Sequence, residues 1–224
     1  MGNKMILWDF GNVIAAFSVD RFLEDVASLF SVTPFEVIAF MEGPMPDSTK
    51  QFIHVIEGDS HWNTHRIFLA FCSRFGKKCE YEMFEKIFSN ALREDYEHSG
   101  RFLKFSRRIH GAGYYQGLIS NANAIHAKKM EYELGHLLAY ISKEFRYYSW
   151  SMCLRKSESP VLFNKVFGEI ESKLEIKRAD MVFIDDRPEN IEGCKAAGAH
   201  AIEFNIGDGL YRLEEKLARL GFSL

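Results

Sequence analysis

Several features that would narrow the function at once are scarce in this chain. It has four cysteines, Cys72, Cys79, Cys153 and Cys194, and no two of them share a C-x-x-C spacing. Neither a zinc knuckle nor a dithiol redox motif is therefore indicated. Positive charge is not in excess, since 28 Lys and Arg face 31 Asp and Glu for a formal charge of −3. That leaves no broad basic field for nucleic acid. The runs Lys77-Lys78, Arg107-Arg108 and Lys128-Lys129 are short and scattered and read as solvated faces. Long apolar runs are missing too. The first, Met5-Ile6-Leu7-Trp8, is too short for a secretory leader or a membrane span. Gly2 opens like a myristoylation site, but Ile6 stands where that signal has Ser or Thr. The expectation is a cytoplasmic protein with reduced thiols, partnered by neither nucleic acid nor membrane. No repeat or low-complexity segment is visible, and oligomeric state is not legible.

What is present suffices for a folded core. Apolar residues make up 47% of 224 positions, enough for one core domain and a modest insertion. Met5–Trp8 reads as a buried strand that stops at the polar turn Asp9-Phe10-Gly11-Asn12. Five helical patterns follow. Val19, Phe22, Leu23, Val26 and Phe30 recur at helical spacing. Thr33-Pro34-Phe35-Glu36 carries a capping box with proline in the first turn. Further stripes run through Phe52 to Ile56, Phe68 to Phe75 and Phe84 to Ala91, with Gly58 and Gly76 as stops. Nothing between 18 and 95 reads as a strand. After a helix over 99–110, strands at 114–119, 145–148, 181–184 and 201–204 alternate with helices at 123–134, 158–174 and 191–197. A last helix follows Gly207-Asp208-Gly209. Such alternation implies an α/β fold with a doubly wound parallel sheet. The predicted division is an α/β domain over 1–17 and 96–224, interrupted by a helical domain over 18–95. The insertion would sit over the C-terminal edge of the sheet, where open α/β folds bind ligands.

Polar residues gather at the predicted strand ends. Asp9 follows the first strand, Ser120-Asn121 the second, Ser149 the third with Lys156 shortly after, and Asp185-Asp186 the fourth. A parallel sheet brings ends of one sense to one edge, so residues distant in sequence converge. Three carboxylates together repel and call for a neutralising cation. Oxygen ligands favour Mg²⁺. Lys156 suits a phosphate dianion, and Ser120 offers a hydroxyl and an N–H at a strand-to-helix turn. Asp9 is placed to act as a nucleophile through an aspartyl-phosphate.

Four segments resemble the motifs of the haloacid dehalogenase superfamily of phosphohydrolases, in that family's order. They are Trp8-Asp9-Phe10-Gly11-Asn12-Val13-Ile14, Leu118-Ile119-Ser120-Asn121, Leu154-Arg155-Lys156, and Val182-Phe183-Ile184-Asp185-Asp186 with Asn190, Gly193 and Gly198. They span nearly the whole chain, and the helical insert falls where the family carries a helical cap. The resemblance implies a Rossmann-like core and a Mg²⁺-dependent phosphatase acting on a small phosphorylated molecule. It implies that Asp9 is nucleophile and metal ligand and that Asp186 is a direct ligand, with Asp185 a ligand or just behind. The Gly11 carbonyl would face the metal. Ser120, Asn121 and Lys156 would hold the phosphate, with Lys156 paired to Asp9.

Two departures matter. Most phosphatases of the family carry an acid two residues after the nucleophile, and here that position is Gly11. Losing a general acid typically costs about 10²–10⁴-fold in rate. The Asp-x-Gly-Asn-Val subset resembles sugar-phosphate phosphatases, and a sugar 1-phosphate, whose leaving oxygen needs little protonation, is the expected substrate. The third motif has Ser151, Cys153 and Lys156-Ser157 in place of its usual acid, glycine and Lys-Pro pair. Two alternatives stay open. One is a metal-independent dehalogenase-type hydrolase, which Gly11 permits, and the other is a phospho-ligand-binding module with weak turnover. A two-component receiver domain fits less well, because there the acidic pair follows the first strand. His61 and His65 lie four apart on a predicted helix but lack the glutamate of a zinc protease.

Overall fold

The computed structural model describes residues 4–45, 49–76, 79–158 and 160–224. Gly2 and the Lys77-Lys78 pair lie outside them. Along the chain come β1 (Met5–Trp8), β2 (Ala16–Phe17), then α1 (Val19–Phe30), α2 (Pro34–Glu42), α3 (Phe52–Gly58), α4 (Thr64–Phe75) and α5 (Tyr81–Ser89). Next are β3 (Leu92–Arg93), α6 (Tyr96–Gly111), β4 (Tyr115–Ser120), α7 (Ala124–Tyr132), β5 (Arg146–Tyr148) and α8 (Ser149–Met152). The chain ends with α9 (Val161–Leu174), β6 (Met181–Asp185), α10 (Pro188–Ala196), β7 (His200–Glu203) and α11 (Leu210–Arg219).

Five strands form one parallel sheet in the order β5-β4-β1-β6-β7. Every residue of β1 and β6 is buried, because helices cover both faces. That is why these strands read as unbroken apolar runs rather than alternating ones. Ile6, Trp8, Phe102, Val182 and Ile184 pack on one side, and Met5, Leu7, Phe163, Phe167 and Phe183 on the other. The chain leaves central β1 and returns first on its β4 side, later on its β6 side. This makes the C-terminal end of β1 the point where the winding reverses, the place open α/β sheets leave a crevice.

The helical segment has a core of its own. Phe30, Phe52, Phe71, Phe84 and Phe88 are buried with Val26, Val37, Ile56 and Ile67. Phe71 lies in ring contact with Phe30, Phe40, Phe52, Phe75, Phe84 and Phe88. The predicted capping box at Thr33 and the stop at Gly76 are realised, and Asn63 adds an unpredicted cap. Thr33 forms the capping box with Glu36, Asn63 accepts from Arg66 N–H at the start of α4, and Gly76 closes that helix at φ 64°. A left-handed residue there costs glycine nothing.

Three expectations need correction. The segment 18–95 contains a strand, β3, which pairs antiparallel with β2 (Phe17 beside Leu92). Two residues are too short to show alternation, so no pattern betrays it. The two chain crossings between sheet and helical segment thus run side by side as a ribbon. His61 precedes α4 rather than lying on it, because Asn63 caps that helix, and its Nδ1 sits 2.8 Å from Asp59 Oδ1. The Lys128-Lys129 run is only half a solvated face, since Lys128 is exposed, pairing with Glu85 at 2.7 Å, while Lys129 is buried. Among the described residues no helix is long and apolar enough to cross a membrane, and no disulfide joins the cysteines.

Candidate active site

The sheet register builds the site. Trp8 lies level with Leu118 and Ile184, so the next residue, Asp9, sits beside the last residues of β4 and β6. Its N–H continues the ladder to Ile184 O at 2.8 Å, which fixes the carboxylate at the strand tip. The turn after it is tight. Ile14 and Ala15 N–H both donate to Phe10 O, and Asn12 N–H donates to Ala15 O at 2.7 Å. Asn12 takes φ 56°, a left-handed conformation that Asn tolerates better than other side-chain-bearing residues. Its Oδ1 accepts from Phe17 N–H at 3.0 Å, and its Nδ2 donates to Asp186 Oδ2 at 3.1 Å. One side chain thereby joins the first polar turn to the last.

Lys156 is the electrostatic centre. It is 2% exposed, and its Nζ lies 2.7 Å from Asp9 Oδ1 and 2.6 Å from Asp185 Oδ2. Its backbone N–H donates to Asn121 Oδ1 at 2.9 Å, so the β4 loop positions the β5 loop. Ser149 ties the same loops together by accepting from Ala122 N–H at 3.0 Å. Asp185 is fully buried and its Oδ1 accepts from Arg187 N–H and Asn190 Nδ2, both at 2.9 Å. Burial opposes the charge on Lys156, yet Asp185 and Asp9 outweigh it and hold the ammonium above its ordinary range. Asp9 is pushed up chiefly by burial, against the pull of Lys156 and with a further push from Asp185. Burial likewise raises Asp186, while the Asn12 hydrogen bond lowers it.

Asp9, Asp185 and Asp186 each offer an oxygen within 4.8 Å of the others. Two of these carboxylates are shifted towards their neutral forms and all donors are hard oxygens, so the set fits a divalent cation. One lysine cannot neutralise three acids.

Asp9, Lys156 and Asp186 line a cavity of about 140 Å³ with Gly11, Ser120 and Asn121. All the sequence-predicted site residues converge except that Asp185 stands behind the wall rather than on it. The cavity also holds residues that carry no sequence signal: Phe17, Glu57, His126 and Arg187. Glu57 comes from α3, so the helical segment reaches the same cavity as Asp9. His126 is neutral. Burial drives its pKa down to about 4, its Nε2 sits 3.3 Å from Phe88 O, and its Nδ1 lies 3.2 Å from Asn123 Nδ2. A second cavity of about 360 Å³ shares Phe17, Glu57, His126 and Arg187 and extends between the sheet edge and the helical segment, past Phe22, Met41 and His54.

The fold and this cluster of strand-end groups define the class: the chain has the fold of the haloacid dehalogenase (HAD) enzymes. A HAD-family enzyme of Bacteroides thetaiotaomicron matches it at TM-score 0.72 and 19% identity over 96% of this chain and 99% of that one. A structure of that enzyme in complex with magnesium and inorganic phosphate matches at TM-score 0.71 and 19% identity, over 95% and 99%. A predicted HAD-like family hydrolase of Porphyromonas gingivalis matches at TM-score 0.74 and 17% identity, over 97% and 98%. No protein-family model and no curated protein matches the sequence.

Proposed function

We propose that this protein is a Mg²⁺-dependent phosphate monoesterase that works through an aspartyl-phosphate on Asp9. The observation that carries the reading is the contact of Lys156 Nζ with Asp9 at 2.7 Å, beside an acidic cluster that fits a hard cation. The similar Bacteroides enzyme crystallised with magnesium and phosphate supports the same chemistry. Mg²⁺ would be held by Asp9, Asp186 and the Gly11 carbonyl, with Asp185 behind them. When bound, it neutralises the carboxylates and the phosphate oxygens.

The chain's own groups then do the following. Ser120, Asn121 and Lys156 hold the phosphate and orient phosphorus towards Asp9. Lys156 restrains the attacking carboxylate and favours its ionised form. Asp9 attacks phosphorus and takes the phosphoryl group, and water later cleaves the acyl phosphate. The helical segment, 18–95, acts as a cap on a core formed by 1–17 and 96–224. The leaving group lodges in the cavity between them. Sugar 1-phosphates are the first substrates to try, because an anomeric oxygen departs with little protonation. A cytoplasmic location with reduced thiols belongs to the same reading.

The test is phosphate release from a panel of monoesters with Mg²⁺, with and without EDTA, beside Asp9→Asn. Removal of a covalent nucleophile should lower turnover on the order of 10⁶-fold. Turnover of haloacids that survives EDTA would favour the dehalogenase reading instead. Metal-dependent binding of phosphate analogues with no turnover across the panel would favour a phospho-ligand-binding module.

A further inference from the structure

With Gly11 in place of the usual acid, the site lacks a proton donor for the leaving oxygen. Six titratable groups line the cavity: Asp9, Glu57, His126, Lys156, Asp186 and Arg187. Asp9 is committed to phosphorus and Asp186 to the cation. Lys156 is buried between two carboxylates. His126 is neutral, with Phe88 O and Asn123 facing its two nitrogens. Arg187 carries a guanidinium, a fixed charge rather than a proton donor. Glu57 is left.

The structure assigns Glu57, on the helical segment, as the general acid that replaces the missing one. This inference rests on the phosphatase reading above. Glu57 shares the cavity with Asp9, Ser120 and Lys156 and also opens on the adjoining leaving-group cavity. Its side chain is 17% exposed. Arg155 Nε donates to Oε2 at 3.1 Å, and Oε1 has no hydrogen-bond partner among the described residues. Three contacts fix its place on the core. One is this ion pair. The second is the close approach of Gly58, where an added Cβ would come 3.3 Å from Arg155 Cγ. The third is Cys153 Sγ at 3.3 Å from Ser60 Oγ. Burial holds the carboxyl above its ordinary range, against the opposing pull of Arg155, Lys156 and Arg187. His54 on its own helix and Glu42 on α2 are the remaining charged or titratable groups lining the adjoining cavity.

The proton balance is simple. As the Asp9–phosphorus bond forms and the ester P–O bond breaks, Glu57 gives its proton to the departing oxygen and becomes a carboxylate. In the second half, it takes a proton from the attacking water as the acyl phosphate is cleaved. Both carboxyl groups then return to their starting states. With this donor in place, ordinary alkyl phosphates are substrates as well as anomeric ones.

Glu57→Gln keeps an acceptor for Arg155 and removes the proton. The experiment compares an alkyl phosphate with 4-nitrophenyl phosphate, whose leaving group needs no proton, in the full-length protein with Mg²⁺. For the alkyl ester kcat/KM should fall about 10²–10⁴-fold. For the aryl ester kcat/KM should hold while kcat drops, because hydrolysis of the acyl phosphate has lost its base. Equal losses of kcat/KM on both esters, or none on either, would overturn the assignment. Should the variant fail to fold, Arg155→Met decides. Removing the neighbouring charge should move the alkaline limb of the alkyl-ester profile to higher pH, and an unmoved limb would overturn the assignment. Turnover of neither ester by the unmutated protein would remove the phosphatase reading and this proposal together, whereas the other failures remove only the role of Glu57.

Discussion

The sheet and the helical segment solve different problems with different residues. At the sheet edge, buried charge is held by short directional contacts: Lys156 to two aspartates, Asn121 to Lys156 N–H, Asn190 and Arg187 N–H to Asp185. In the helical segment, stability comes from interleaved phenylalanine rings with little directional demand. The contrast teaches where substitution is tolerated. A polar network with one cation between two acids has no spare partner, whereas a cluster of many rings can repack around a change. The fixed polar network accordingly belongs to the sheet edge, and the helical segment is freer to vary what it presents to the cavity.

Two substitutions bear on this contrast. Lys156→Met keeps the volume of the side chain but leaves Asp9 and Asp185 buried without their cation. Breaking a buried ion pair in this way costs about 3–5 kcal/mol, read by denaturant unfolding without divalent metal. Added Mg²⁺ should recover part of it by neutralising the remaining acids. A loss below about 1 kcal/mol would mean that the network is less demanding than the packing around it, and the comparison would break. Ile67→Leu, in the buried core of the helical segment, should cost less than about 1.5 kcal/mol, as volume-conserving apolar swaps do. Its Mg²⁺-dependent phosphate binding should be unchanged. A loss as large as that of Lys156→Met would show the helical core to be the more exacting of the two.

Much of this was legible in the residues themselves. The apolar runs ending in Asp9, Ser120 and Asp185 announced parallel strands, because both faces of each are covered. The order of those ends implied their convergence, and the register of β1 with β4 and β6 produces it. Capping chemistry at Thr33 and Gly76 placed helix ends correctly. Other features had no local signature. The helix expected to begin at Glu158 starts at Val161, beyond Pro160, after a separate turn at Lys156–Glu158. β3 exists only through pairing with β2. Glu57 looks like any helix-end acid in sequence, since only docking of α3 onto Arg155 makes it part of the cavity. Asn12 belonged to a recognised signature, but its bond to Asp186 joins residues that only the folded sheet brings together.

The central claim is that Asp9 and Asp186 share one ion. Anomalous diffraction from crystals grown with Mn²⁺ and phosphate tests it most directly. A single peak should lie within about 2.2 Å of an oxygen from each carboxylate, and it should vanish in Asp186→Asn. A manganese ion bound elsewhere, or one that touches only one of the two, would contradict the account.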